Sequence, residues 1–277
     1  MTPHAGVARG PLAAGERVLL VDPKERQYLL TLQPGSTFHT HSGIVAHDDV
    51  IGVVEGSAVA ATTGRRFVVL RPTLAEVVLK MPRGAQVIYP KDLGAILLAA
   101  DIGPGMRVLE AGVGSGALSM ALLRAGAEVI GYEVRADFAA GARANVAAWA
   151  GPDVPYRVEE RDVYQGIAQR QLDRVVLDLP EPWRALDPIA EALRPGGIVL
   201  SYLPSITQVV ALRAAMASRA FGMAETSEVL RRTWHVEERS VRPDHRMVAH
   251  TGFLTTARLL VASAGSTPDA GPEGAGG

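Results

Sequence analysis

The feature of this sequence that most constrains its fold is a regular alternation of apolar runs and helical patterns after Met81. Apolar runs typical of strands cover residues 107–111, 128–132, 156–159, 174–177 and 198–202, with two more near 225–231 and 253–260. Helical patterns alternate with them over residues 92–100, 117–125, 136–150, 188–193 and 206–220. Strands that alternate with helices form a parallel sheet covered on both faces. We therefore predict an α/β domain with a mostly parallel sheet.

A different pattern precedes this region. Short apolar runs at 17–21, 27–32, 57–61, 66–70 and 77–81 are separated by turn signals such as Asp22-Pro23-Lys24 and Thr63-Gly64-Arg65, which predicts a small β domain. Met81-Pro82-Arg83-Gly84 is a natural boundary. We predict a β domain at 1–80, the α/β domain at 81–261 and a disordered tail at 262–277, where Gly, Ala, Ser and Pro dominate.

The composition excludes several kinds of chemistry. The 277 residues include no Cys, which excludes disulfides, thiolate zinc sites, iron–sulfur clusters and a Cys nucleophile of the kind used to methylate C5 of pyrimidines. With neither an apolar run of about 18 residues nor a signal peptide, we expect a cytoplasmic protein without a membrane partner. The formal net charge of −1 gives no support to a nucleic-acid partner, so local clusters or assembly must supply any basic surface.

The loop Glu110-Ala-Gly-Val-Gly-Ser-Gly116 follows one predicted strand and opens a helix. Its glycines allow the backbone to approach a ligand closely. The spacing of Gly112, Gly114 and Ala117 also fits a dinucleotide-binding fingerprint, and a tight turn without a ligand is a further alternative. Glu110 favours S-adenosylmethionine, because that cofactor carries a positive sulfonium and lacks the pyrophosphate of NAD.

Three further acids follow predicted strands. Glu133 is placed to accept both ribose hydroxyls of a nucleoside, although a surface acid beside a helix is the alternative. Asp162 is placed to accept from an adenine amino group, or to cap a helix. Asp178, in the segment Leu177-Asp-Leu-Pro-Glu-Pro-Trp183, points into the crevice where open α/β sheets bind ligands. A solvated acid is its alternative.

Asp178 has a chemistry that suits an adenine acceptor. N1 of adenine is neutral and carries a lone pair, so methyl transfer to it requires orientation of the base rather than deprotonation. A carboxylate that accepts from N6–H orients the base and stabilises the positive charge that develops on the ring.

The motifs together resemble the tRNA (adenine-58-N1)-methyltransferase family over about residues 15–261. The resemblance rests on segments 38–41, 86–92, 110–116, 132–133, 177–183, 202–208 and 250–254. It implies a small N-terminal β domain, a Rossmann-like class I methyltransferase domain, S-adenosylmethionine as cofactor, tRNA as substrate and a homotetramer. By position, the cofactor site would include Glu110, Gly112, Gly114, Ser115, Gly116, Ala117, Leu118, Glu133, Phe138, Asp162, Val163 and Asp178. Asp178 would also orient the adenine, with Tyr89 near the substrate pocket.

Two other patterns have competing interpretations. His39, His41 and His47 suggest a metal only weakly, since no Cys accompanies them, and we expect none. The run Arg231-Arg232, Arg239, Arg242, His245 and Arg246, which contains Trp234, predicts either an RNA-backbone surface or a solvated loop.

Three alternative functions remain open at this point. One is a class I methyltransferase for another acceptor, such as another RNA purine, a protein or a small molecule. Another is an NAD-dependent oxidoreductase, which Glu110 disfavours. The third is a non-catalytic RNA-binding subunit, which we would expect to have lost Glu110, Glu133 or Asp178.

Overall fold

The computed structural model describes residues 9–84 and 86–261, so the predicted tail at 262–277 lies outside the described residues. The first part of the chain forms β1 (Arg17–Val21), β2 (Gln27–Thr31), β3 (Thr37–Thr40), β4 (Gly43–Ala46), β5 (Ala58–Ala60) and β6 (Arg66–Leu70). Four of these strands form an antiparallel sheet in the order β2-β1-β6-β5, and β3 pairs with β4. Alternating residues of this sheet, including Val18, Leu20, Phe67 and Val69, enclose a separate apolar core.

The run at 77–81, which the sequence analysis assigned to the β domain, is part of a helix, α1 (Leu74–Lys80). Thr73 caps this helix and Glu76 closes a capping box with it, so the local signals for a helix prevail over the low helix propensity of two valines. Val77 and Val78 pack into the core of the α/β region. We therefore propose that the β domain ends in the 71–73 connection, before the predicted boundary at 80/81.

The remaining elements alternate along the chain. The helices are α2 (Pro90–Ala99), α3 (Ala117–Arg124), α4 (Ala136–Ala150), α5 (Leu186–Ala192) and α6 (Ile206–Ala217). The strands are β7 (Arg107–Ala111), β8 (Glu128–Glu133), β9 (Tyr156–Glu160), β10 (Leu172–Leu177), β11 (Leu193–Leu203), β12 (Phe221–Glu228), β13 (Trp234–Glu237), β14 (Ser240–Pro243) and β15 (Phe253–Leu259).

Seven of these strands form one sheet in the order β12-β15-β11-β10-β7-β8-β9. Its strands are parallel except β15, which runs antiparallel to both of its neighbours. This confirms the predicted mostly parallel α/β fold. Apolar cores cover both faces, so the central strands β7, β8 and β10 are buried along most of their length.

The strand order of the sheet sets the position of a ligand site. From β7 the chain order runs outward to β8 and β9 on one side and to β10 and β11 on the other. Ligands bind beyond the carboxyl ends of the strands at such a reversal of order.

Within the described residues, no helix is long and apolar enough to cross a bilayer.

Candidate functional site

A cleft of about 260 Å³ lies at the carboxyl ends of β7 and β10, where the strand order reverses. Its lining combines the glycine loop, the start of α3, the segment before α2 and the acid that follows β10. The residues are Gln86, Val87, Ile88, Glu110, Gly112, Val113, Gly114, Ser115, Ala117, Leu118 and Asp178. Seven of the predicted cofactor residues therefore line the cleft: Glu110, Gly112, Gly114, Ser115, Ala117, Leu118 and Asp178. Gly116 precedes α3 beside the cleft as its N-terminal cap residue.

Close packing explains why glycine occupies two positions of the loop. Gly112 has φ +85°, and a Cβ there would lie 2.1 Å from the carbonyl oxygen of Asp178. Gly116 has φ +81°, and its Cβ would lie 3.3 Å from Ala142 on α4. The first glycine therefore lets the loop after β7 approach the segment after β10, and the second brings α3 against α4.

Glu133 is fixed in orientation at the end of β8. One carboxylate oxygen accepts from the Gly114 N–H and the other from the Arg135 N–H, each at 3.0 Å. Two backbone donors hold the carboxylate between the glycine loop and the start of α4. Each oxygen retains a second lone pair for a ligand.

The sequence suggested that Glu110 is a loop acid, but it is the penultimate residue of β7 and is buried inside the protein. Glu110 is 1% exposed, and its Oε2 accepts a hydrogen bond from the Ser119 hydroxyl at 2.5 Å. Burial raises its pKa to about 8; the hydrogen bond from Ser119 opposes this shift, and the charges of Asp178 and Glu133 add to it. Its Oε1 is buried without a hydrogen-bond partner among the described residues. A buried acceptor of this kind is expected to meet a donor or a positive charge on a ligand.

Asp178 follows β10 and closes the same cleft, with burial raising its pKa to about 6. Its backbone N–H donates to Ala111 at 2.9 Å, which continues the β7–β10 ladder by one residue. Glu110 and Asp178 therefore both line this cleft, and Glu133 is hydrogen-bonded to Gly114 in its wall. These carboxylate acceptors and the unpaired Oε1 of Glu110 fit a cationic nucleoside such as S-adenosylmethionine better than a dinucleotide with a negatively charged pyrophosphate.

Five predicted cofactor residues do not line this cleft: Gly116 and Glu133, described above, and Phe138, Asp162 and Val163. Asp162 caps a short 3₁₀ turn by accepting from the Tyr164 N–H at 2.9 Å, which is the alternative that the sequence left open. Val163 is buried in the core below that turn. The guanidinium of Arg135 stacks on the Phe138 ring, 3.7 Å from the ring centroid, in a cation–π contact.

Tyr89 lies at the start of α2 as its N-terminal flanking residue, directly after the segment that lines the cleft. Sequence reasoning did not single out Gln86, Val87 and Ile88 as lining residues, although they belong to the motif that contains Tyr89. It also missed a buried polar cluster of Lys91, Asp92, Thr251 and Tyr202, because these side chains come from distant parts of the chain.

The histidines and the basic run lie away from the cleft. His47 Nδ1 accepts from the Gln33 N–H, and His39 bonds to Thr37. Among the described residues no cluster of His, Cys, Asp and Glu is arranged to hold a metal ion. Arg231, Arg232, Arg239, Arg242 and Arg246 are exposed on and beside the β13–β14 hairpin.

Known proteins match this chain over most of its length. Residues 66–251 match the family model described as the tRNA methyltransferase complex GCD14 subunit, and residues 10–59 match the TrmI-like N-terminal model. The chain is 40% identical over 250 residues to the tRNA (adenine(58)-N(1))-methyltransferase TrmI of Thermus thermophilus, a match that covers 89% of this chain and 98% of that protein.

Two solved structures have the same fold across both domains. A Thermotoga maritima protein described as a SAM-dependent O-methyltransferase aligns with a TM-score of 0.88 and 32% identity, covering 94% of this chain and 98% of its own. The tRNA (m1A58) methyltransferase TrmI of Aquifex aeolicus aligns with a TM-score of 0.80 and 31% identity, covering 91% of this chain and 100% of its own.

Proposed function

Because the chain belongs to the tRNA methyltransferase family that the GCD14 model describes, we propose that it transfers a methyl group from S-adenosylmethionine to N1 of adenine 58 in tRNA. The chain is an enzyme of this class, and the relative that is 40% identical carries this activity in its name. The observation that carries the assignment to this site is that two acids, Glu110 and Asp178, line one cleft at the strand-order reversal, while a third, Glu133, is hydrogen-bonded to the glycine loop in its wall.

The cofactor supplies an electrophilic methyl group on a sulfonium sulfur. Glu133, held by two backbone N–H groups, accepts from the ribose hydroxyls. Glu110 offers its unpaired Oε1 to the positively charged part of the ligand. Gly112, Gly114, Ser115 and Gly116 allow close backbone approach, while Ala117 and Leu118 give an apolar wall at the start of α3.

The nucleobase end of the cofactor is assigned to the elements beside this cleft. We propose that Asp162 and Val163 contact the adenine of the cofactor and that Phe138 packs against it. Asp162 Oδ1 accepts from the Tyr164 N–H, so its remaining lone pairs are available to the adenine amino group.

Asp178 is the catalytic residue in this proposal. It accepts from N6–H of the target adenine, which orients N1 and stabilises the charge that appears on the ring during transfer. With its pKa raised to about 6 by burial, it is mainly ionised at pH 7 and loses this role as the pH falls below 6. Tyr89 lies beside the path of the base, which must leave its stacked position at a cost of a few kcal/mol.

Mapping the modified nucleotide tests the activity. Unmodified tRNA is incubated with the protein and labelled cofactor, digested and analysed by mass spectrometry. A matched tRNA with guanine in place of adenine 58 is the control. We expect 1-methyladenosine at position 58 and no label in the control tRNA. Label on an oxygen atom, on a protein or on a small molecule would support the alternative acceptor instead.

We also propose that the enzyme is a cytoplasmic homotetramer and that its tRNA surface combines basic patches from several subunits. The net charge of −1 on one chain supports assembly, as does the hairpin β13–β14. One face of this hairpin presents Trp234, Val236 and Val241, which are 57%, 71% and 59% exposed. Its exposed arginines supply the phosphate contacts. Light scattering that shows an active monomer would contradict the tetramer.

A further inference from the structure

A buried polar cluster of four residues joins three parts of the chain. Lys91 and Asp92 come from the first turn of α2, Thr251 from the segment before β15, and Tyr202 from the end of β11. The Lys91 side chain is 5% exposed and the Asp92 side chain is fully buried. Burial of an ion pair requires that all its polar atoms be satisfied, which this cluster achieves.

The hydrogen bonds form a closed set. Lys91 Nζ donates to Asp92 Oδ1 at 2.8 Å, to the Val229 carbonyl at 2.6 Å and to the Thr251 hydroxyl at 2.6 Å. The Thr251 hydroxyl in turn donates to Asp92 Oδ2 at 2.6 Å. A single hydroxyl therefore connects the buried cation, the buried carboxylate and the segment that leads into β15.

Tyr202 connects the cluster to the catalytic side. Leu177 pairs with Ser201, so Tyr202 follows on the neighbouring strand at the level of Asp178. Burial raises the pKa of Tyr202 to about 12; a hydrogen bond with Thr251 opposes the shift, and the charges of Asp92 and Asp178 add to it. Its ring lies over Gly252, where a Cβ would be 2.4 Å from Cζ.

The other end of the cluster fixes the start of α2. Tyr89 immediately precedes this helix, and the Asp92 N–H donates to the Tyr89 carbonyl at 2.8 Å. Val87 and Ile88, on the cofactor side of the same segment, are held separately by burial in the apolar core. Tyr202 belongs to the same apolar core, but Val87 and Ile88 make none of the hydrogen bonds of the cluster, so its loss would act on Tyr89 and Tyr202 more than on the cofactor side.

We propose that Lys91, Asp92 and Thr251 are positioning residues that hold Tyr89 and Tyr202 as two walls of the acceptor-base pocket facing Asp178. The inference rests on the proposed function, because it assigns this side of the site to the base. A misplacement of about 1 Å can lower a rate about 100-fold, so a buried anchor next to the reacting groups has a direct effect on transfer.

Thr251→Val and Thr251→Ser form a matched pair for the test. Valine keeps the shape of threonine and removes the hydroxyl, whereas serine keeps the hydroxyl. With saturating cofactor and tRNA, we expect the single-turnover rate of Thr251→Val to fall about 10- to 100-fold, and that of Thr251→Ser to stay within about threefold of wild type. Calorimetry should give a cofactor Kd within about twofold of wild type for both variants.

A double variant, Lys91→Met with Asp92→Leu, covers the case in which Thr251→Val does not fold. Apolar residues of similar volume can replace a buried ion pair without loss of stability, whereas removal of one partner is strongly destabilising. This folded variant should show the same rate loss and the same unchanged cofactor affinity.

Two results would overturn the proposal. One is a Thr251→Val rate within about threefold of wild type, and the other is a rate loss matched by an equal loss of cofactor affinity, which would indicate a general structural role. Failure of the proposed function is distinguishable, because wild-type enzyme would then place no methyl group on adenine 58.

Discussion

The charge state of Glu110 leads to the most specific prediction about cofactor binding. Its Oε2 accepts from Ser119, its Oε1 has no partner among the described residues, and burial raises its pKa to about 8. The ligand-free enzyme therefore carries this carboxyl mainly protonated at pH 7. A positively charged ligand next to Oε1 favours the ionised form, so binding should release a proton.

The size of the effect follows from the pKa. With a pKa of about 8, roughly one tenth of Glu110 is ionised at pH 7 and half at pH 8. Apparent affinity scales with the competent fraction, so the Kd for S-adenosylmethionine should decrease about tenfold from pH 6 to 7 and about fivefold from pH 7 to 8. Ionisation of this group at pH 7 costs about 1.4 kcal/mol.

Isothermal titration calorimetry at pH 7, in two buffers with different ionisation enthalpies, measures the released proton directly. The wild-type enzyme should release nearly one proton per cofactor bound. Glu110→Gln is the matched control, because it keeps the shape of the side chain and cannot titrate. The control is necessary since the amino group of the ligand itself titrates near pH 8, as α-amino groups do. The difference between the two proteins reports Glu110.

The reasoning is refuted if wild type and Glu110→Gln have the same pH dependence of Kd between pH 6 and 8 and release the same number of protons. Stability gives an independent check. A carboxyl whose folded pKa exceeds its ordinary value of 4.5 stabilises the fold fully below pH 4.5, and this contribution is lost as the pH rises through 8. The effect of Asp178 on stability has the same sign, but this carboxyl is half titrated at about pH 6 and mainly ionised by pH 7. Between pH 6.5 and 8, titration of Glu110 should lower the unfolding free energy of ligand-free wild type by about 1.6 kcal/mol in total, and that of Glu110→Gln should fall less.

Three further variants have expected outcomes. Asp178→Ala should lower the single-turnover rate about 100- to 1,000-fold with a smaller change in cofactor affinity, and a rate within about threefold of wild type would mean that the catalytic residue is misplaced. Gly112→Ala should weaken cofactor binding and lower the Tm, because the added Cβ would lie 2.1 Å from the carbonyl oxygen of Asp178. Gly141→Ala on α4 is the control: its Cβ would have no heavy atom within 4 Å, so the Tm should stay the same or rise. His250 bonds Glu228 through Nδ1 and the Pro204 carbonyl through Nε2, and these acceptors raise its pKa. Its contribution to stability is present below its ordinary pKa of 6.5 and is lost as the pH rises through the higher folded value, so His250→Gln should lower the Tm at pH 6 more than at pH 8.5; equal losses would contradict this.

Much of the fold was predictable because its signals are local. Each strand of the parallel sheet is an apolar run, and each helix between strands has its own period, so the order of elements after Met81 specifies the layers. The ends of β12 and α6 differ from the predicted ones by a few residues, since several residues at those ends suit either state. The helix at Leu74–Lys80 was missed, because two adjacent valines obscured the capping box formed by Thr73 and Glu76.

The hairpin β13–β14 was not predicted either. Its segment has many charges and a short alternation, so the sequence favoured an irregular loop or an RNA surface. The pairing of Trp234 with Pro243 and of Val236 with Val241 places apolar residues on one face of a ribbon. Only pairing in three dimensions separates these residues from the arginines around them.

By itself, the sequence determined the family, the mostly parallel sheet and the acids at three of its strand ends, because a strand, its final residue and the glycine loop after it are contiguous in the chain. Tertiary structure decided the properties that depend on distant neighbours. Glu110 is an acid in any fold, but its raised pKa arises from burial and from the nearby charges of Asp178 and Glu133, against the hydrogen bond from Ser119. The Lys91–Thr251 hydrogen bond joins residues 160 positions apart, and no local pattern encodes that distance. Charge state and long-range hydrogen bonding depend on which atoms exclude water from a group, and the folded chain alone establishes that arrangement.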